Sequence, residues 1–226
     1  MEAGNRGARL AKGASIGLNI DLPFEQGSNP YVDQDKDINF NYFFVRKVMF
    51  VKYAQAFVAC PGGFGTMDEL FEVLTLIQTG KHDPMPVVFL DAPGGQYWKS
   101  FDTFLRQELL EGGMISPHDT ALYSITDRCE EAVAETVNFY KVYHGMRYVK
   151  DQLVFRLQQP LSDAAMAHLH EHFSDVLVDG GFRQSAALPE EKNEPELADL
   201  PRLVFAFNRR SLAKLRLMID YINQQA

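Results

Sequence analysis

The chain has 226 residues, 46% of them hydrophobic and 23% charged, with a formal net charge of −8. This composition excludes disorder, collagen-like repeats and coiled coil, and the length accommodates one or two domains. The acidic balance and the lack of any apolar run of about 18 residues argue against nucleic acid and membrane as partners. Residues 1–12 read as a helix, with Glu2 and Arg6 spaced as a supporting pair, and nothing in residues 1–13 resembles a signal peptide. Residues 14–20 read as a strand and residues 21–36 as a loop rich in Pro, Gly, Ser and Asn. From 37 to 53 the spacing of Ile38, Tyr42, Val45, Met49 and Tyr53 predicts a helix. An apolar strand over 54–60 stops at the turn 61–66, and a helix over 67–79 ends at Gly80. Then come a strand at 86–91, a helix at 97–111, a strand at 121–125 and a helix at 127–144.

Strands alternating with helices predict an α/β fold: a Rossmann-like parallel sheet with helices on both faces, spanning residues 1–146. Right-handed crossovers place the C-terminal ends of its strands on one edge, where ligands bind. Residues 147–226 read as a small C-terminal α+β unit with strands at 148–157, 182–188 and 202–207 and helices at 162–173 and 211–223. The acidic, proline-bounded stretch 189–201 reads as a solvated loop.

The chemistry concentrates in residues 58–74, VACPGGFGTMDELFEVL. A strand ends in a glycine-rich turn that opens directly into a helix. Glycines allow positive φ and close backbone approach, and the N–H groups and dipole of a helix start favour an anion, so a phosphate is the expected guest. The run is neither a Walker loop nor GxGxxG. Thr66 and Glu69 read in two ways: as a capping box, Thr66 at N-cap and Glu69 at N3, or as a carboxylate at the mouth of an anion site. Asp68 and Glu72 add further acid. Arg46 and Lys47 read either as solvent-seeking basic residues or, within FFVRKVMFV, as a buried guanidinium needing an acid, for which Glu69 is the candidate. Cys60 and Cys129 read as structural and, being only two, fit a reduced cytoplasm. The six histidines form no metal signature, and His168, His170 and His172 read as surface residues of a helix.

Arg46-Lys47-x-Met49 followed by Pro61-Gly-Gly-Phe-Gly-Thr-Met-Asp-Glu69 resembles the signature of the LOG family, cytokinin-activating phosphoribohydrolases long labelled lysine decarboxylases. The likeness covers about residues 1–145, and residues 1–8 and 19–26 resemble the longer bacterial members. It implies a cytoplasmic hydrolase that cleaves the N-glycosidic bond of a nucleoside 5′-monophosphate (AMP-like or a cytokinin riboside monophosphate) to free base and ribose 5-phosphate. By the same resemblance Arg46 and Glu69 are the catalytic pair, and Gly62, Gly63, Phe64, Gly65 and Thr66 hold the 5′-phosphate. Lys47, Asp68 and Thr75 match substrate-binding positions, and Glu25 and Asn29 are expected to line the pocket. No metal and no cofactor are implied, and the partner is a second copy or more of the chain, in a homodimer or higher homo-oligomer. Family members open with a strand, a helix and a further glycine loop, roughly GGGPGIMEA. This chain begins at the Met-Glu-Ala ending that loop, so the sheet is expected to be N-terminally incomplete. The competing readings are a non-catalytic nucleotide carrier that keeps the cradle and, behind it, the old decarboxylase label.

Overall fold

A computed structural model describes residues 2–21 and 27–225. The chain is mixed α/β, with parallel sheets flanked by helices followed by a β-rich C-terminal portion. By compactness it divides into residues 1–54 and 55–226.

The first unit contains α1 (Glu2–Leu10), β1 (Gly17–Ile20), β2 (Asp37–Phe40) and α2 (Phe43–Lys52). Strands β1 and β2 pair in parallel, Gly17 opposite Asp37 and Ile20 opposite Phe40. The helix expected from residue 37 therefore starts only at Phe43. Residues 37–40 are held extended by the ladder to β1, and at their first residue Ser28 Oγ donates to Asp37 at 2.6 Å and Asn19 Nδ2 donates to Asp37 at 2.5 Å. Ile38 and Phe40 share one face of the strand, and Asp37 and Asn39 the other.

The second unit opens with a parallel sheet of order β3-β4-β5, comprising Phe57–Ala59, Val87–Leu90 and Ser124–Thr126. Its central strand is buried at Val87, Val88 and Phe89, the apolar run that a sheet covered on both faces requires. Helices α3 (Phe64–Gln78), α4 (Tyr97–Phe104, continued by a π-helical turn to Leu110) and α5 (Cys129–Asn138) connect or follow these strands.

Beyond α5 the strands run antiparallel in the order β6-β7-β9-β8: Tyr143–Val149, Gln152–Leu157, Arg202–Phe205 and Arg183–Ser185. The predicted helix to 144 stops at Asn138, because residues 143–149 form a hairpin with β7. The hairpin turns at Lys150, which takes φ +54° without a glycine, so no turn signal marked it. Helices α6 (Asp163–His172) and α7 (Leu212–Asn223) contribute Leu169, Leu215, Met218, Ile219 and Ile222 to the core on this sheet. Ser162 caps α6 by accepting from the Ala165 N–H at 3.2 Å.

The acidic stretch 189–201 is exposed over most of its length, as a solvated loop is, but it is pinned at Glu191. Glu191 is 3% exposed, and Arg156 and Arg202 both donate to it at 2.9 Å. Arg156 also pairs with Glu194, so two arginines projecting from the sheet hold the segment down. Composition showed the acids but not their cationic partners 35 and 11 residues away in sequence.

Candidate functional site

Strand β3 ends at Ala59, and residues 60–63 lead straight into α3, whose first residue is Phe64 and whose N-cap is Gly63. The helix thus starts three residues before Met67. Thr66 is its third residue and Glu69 its sixth, so the capping-box reading of Thr66 and Glu69 does not hold, and no side chain caps this end. Gly63 and its neighbours let the chain turn into helix earlier than the Thr-x-x-Glu spacing indicates. Thr66 and Met67 send their N–H groups back to the Gly63 carbonyl at 3.1 and 3.2 Å. The preceding N–H groups, those of Phe64 and Gly65, lie ahead of the first intrahelical bonds, where an α-helix presents donors to an anion.

The three glycines differ in role, and none of them takes positive φ. At Gly62 a Cβ would collide with the Thr66 hydroxyl and come within 3.0 Å of its Cβ, so the Thr66 side chain folds over a space only glycine leaves. At Gly63 and Gly65 an added Cβ would meet nothing within 4 Å. Their bare backbone faces open space around the helix start. Phe64, between them, is 96% exposed.

Along α3, Glu69 shares a row with Val73 and Ile77 and is only 8% exposed. Thr66, half-buried, lies on the same side one turn earlier. Asp68 and Thr75 are exposed and fall about half a helical turn round from Thr66. The structure therefore gathers Gly62, Gly63, Phe64, Gly65, Thr66 and Glu69 around one end of α3 and sets Asp68 and Thr75 on its other face.

The remaining candidates belong to the first compact unit. Arg46 and Lys47 are half-buried on α2, and the Arg46 guanidinium lies over the Phe43 ring at 5.1 Å and the Phe50 ring at 5.8 Å. Two aromatic faces stabilise a cation without neutralising it. Asn29 serves its own loop: its amide donates to Asn5 at 2.9 Å and its oxygen accepts from the Tyr31 N–H at 3.1 Å. Glu25 lies outside the described residues.

One contact to the cradle had no signal in the spacing. Tyr97, at the first residue of α4, donates from its hydroxyl to the Gly62 carbonyl at 2.5 Å, across 35 residues of sequence. On α6, His168 and His172 stand four apart and stack with ring centroids 4.0 Å apart, and His168 also stacks on Tyr221 at 3.9 Å. No group of three or more metal-ligating side chains forms among the described residues.

A family model described as "Possible lysine decarboxylase" matches residues 1–136. Cytokinin riboside 5′-monophosphate phosphoribohydrolase LOG1 of Arabidopsis thaliana is 44% identical over 72 residues, 32% of each chain. Probable cytokinin riboside 5′-monophosphate phosphoribohydrolase LOGL3 of Oryza sativa subsp. japonica is 36% identical over 99 residues, 44% of each chain. Cytokinin riboside 5′-monophosphate phosphoribohydrolase LOG5 of Arabidopsis thaliana is 31% identical over 101 residues, 45% of this chain and 42% of its own. The chain spans about a third of the length of the first of these relatives and less than half of the other two. With well over half its residues under the family model, the chain belongs to that family, the LOG family.

Proposed function

We propose that the protein is a hydrolase acting on the N-glycosidic bond of nucleoside 5′-monophosphates, releasing free base and ribose 5-phosphate. One observation carries this reading: a buried carboxylate, Glu69, stands four residues beyond Gly65, the last glycine of an open helix start. Four residues of helix rise about 6 Å, comparable to the span of a ribose from its 5′-phosphate to its anomeric carbon. A phosphate on the N–H groups of residues 63–65 then leaves the sugar alongside Glu69.

Cleavage of the glycosidic bond builds positive charge on the ribose, and a carboxylate at that end stabilises it. Water supplies the oxygen that bonds to the anomeric carbon, its proton passing to the carboxylate. The bond to the base breaks with its electron pair leaving on the base, which takes up a proton from solvent while the carboxylate gives its own back. In this reading Arg46 is the second catalytic residue, and Lys47, Asp68 and Thr75 contribute to substrate binding, as the resemblance implies. The relatives' names support the reaction class and a cytokinin riboside monophosphate as one substrate. AMP-like substrates follow from the cradle, which reads phosphate and not base.

We further propose that the protein works in the cytoplasm as a homodimer or higher homo-oligomer. Exposed Tyr42, Phe43, Phe44 and Val48 on and before α2 supply apolar surface for self-association.

The test incubates the protein with AMP, GMP, CMP, UMP and a cytokinin riboside monophosphate and follows free base by chromatography. Release from at least one, lost in Glu69→Gln, is the expected result. Binding of all without release from any would instead make the protein a nucleotide carrier. A pyridoxal Schiff-base absorption in the purified protein would favour the decarboxylase description.

A further inference from the structure

The peptide between Gly62 and Gly63 is the one most able to turn over in the cradle. Neither flanking residue has a Cβ to penalise a change of φ and ψ, and flipping such a plane exchanges its C=O and N–H directions. The peptide is trans and planar, so its carbonyl and N–H point in opposite directions. Facing the ligand, the N–H attracts an anion, whereas the carbonyl repels it.

We propose that Tyr97 is a positioning residue that latches this peptide in its anion-binding orientation, an inference that rests on the phosphate-cradle reading above. Its hydroxyl donates to the Gly62 carbonyl at 2.5 Å and so turns the Gly63 N–H away from Tyr97. A flipped peptide would trade the Gly62 carbonyl, a strong acceptor for the hydroxyl, for the Gly63 N–H donating to the phenol oxygen, a weaker acceptor.

The hydroxyl is itself held in place by a framed loop. Trp98, next to Tyr97 and fully buried, donates from its indole to the Leu90 carbonyl at 3.2 Å and stacks on Phe89 at 4.7 Å. The Tyr97 ring packs edge-on against Trp98 at 4.8 Å. Asp91 accepts from the Ala92 N–H at 2.8 Å and the Trp98 N–H at 3.3 Å, closing the loop between them. A Cβ at Gly95 would strike the Asp91 carboxylate, so this turn needs glycine too. Gly94, at φ +75°, donates to Asp127 at 2.8 Å and ties the loop to the end of β5. Tyr97 therefore reaches the cradle from a scaffold built on β4 and β5 and not from a free surface loop.

Tyr97→Phe removes the hydroxyl and keeps the ring. Titration of the full chain with inorganic phosphate, ribose 5-phosphate and adenosine reads the effect. The expected result is about a five- to tenfold rise in Kd for both phosphate ligands, the worth of one hydrogen bond, with adenosine binding unchanged. Tyr140→Phe, which removes a like bond to the Gln55 carbonyl, should change none of the three. Unchanged phosphate affinity in Tyr97→Phe, or equal weakening of phosphate and adenosine, overturns the proposal. A wild-type chain that binds no phosphate overturns it together with the cradle. A wild-type chain that releases no base but binds phosphate in a Tyr97-dependent way removes the hydrolase reading and leaves the latch standing.

Discussion

Gly62 and Gly65 lie three residues apart at the start of α3, yet alanine should act on them in opposite ways. At Gly62 a methyl group meets Thr66, whose hydroxyl can rotate away but whose Cβ, fixed to the helix backbone, stays within 3.0 Å. Gly62→Ala should lower the melting temperature and weaken phosphate binding together, by about 1–3 kcal/mol of stability as overpacking does. Gly65 is inside the helix, has no positive φ and faces open space. Gly65→Ala should raise stability by about 0.4–1 kcal/mol, because alanine leaves fewer unfolded conformations to lose. The same methyl group would occupy the space a phosphate needs, so nucleotide affinity should fall while the melting temperature rises. Thermal melts with and without ribose 5-phosphate separate the two effects. If Gly65→Ala leaves affinity intact, the phosphate does not sit against this backbone.

At the scale of elements, the 189–201 segment shows what composition leaves out: an exposed acidic loop fastened at one buried carboxylate. Glu191 is buried between Arg156 and Arg202, and Arg202 has no exposed surface at all. Burial pushes the Glu191 carboxyl up, but hydrogen bonds from Arg202, the Leu188 N–H and Arg156 outweigh it and hold the pKa at about 2, below the ordinary 4.5. A carboxyl lowered on folding stabilises the fold fully above its unfolded pKa, and that contribution fades as pH falls towards the folded value. Denaturant midpoints should therefore drop between about pH 5 and pH 2. Glu191→Gln should flatten that slope and cost about 3–5 kcal/mol at neutral pH, since the buried Arg202 loses its counter-charge while Arg156 keeps only Glu194. A neutral-pH midpoint equal to wild type would mean that the segment is not held by this pair.

Much of the order of elements was legible because apolar runs and glycine turns carry it: β3, β4, α6 and α7 fall where their patterns put them. What was not legible depends on partners distant in sequence. Residues 37–40 look helical by spacing and become a strand because β1 lies beside them. The start of α3 was misplaced because Thr66 and Glu69 imitate a capping box, while the earlier glycines set the N-cap. The glycine-built turn into a helix was readable from Pro61-Gly-Gly-Phe-Gly-Thr66. Tyr97 was not, since a tyrosine at the start of a helix is indistinguishable by spacing from any other.

For the whole molecule, burial predicts how unevenly the two compact units resist opening. Among the described residues of 1–54, only Ile20, Val32 and Val51 are buried apolar side chains, whereas the sheet and helices of residues 139–222 enclose a continuous core. A unit of some fifty residues with so little buried apolar surface is marginal, so its amides should exchange with solvent far sooner than those of β7, β9 and α7. This difference supplies a test of Arg46. If Arg46 and Lys47 act on the bound nucleotide, saturating AMP or ribose 5-phosphate must slow exchange across 43–52 as well as at 62–66, because ligand binding stabilises whatever it requires to be closed. Hydrogen exchange followed by mass spectrometry, with and without ligand, reads both segments in one experiment. Protection confined to 62–66 would leave the phosphate cradle in place and remove Arg46 from the catalytic assignment. Protection of both segments, lost across 43–52 in Arg46→Ala but retained at 62–66, would show that the cation reaches the nucleotide through α2.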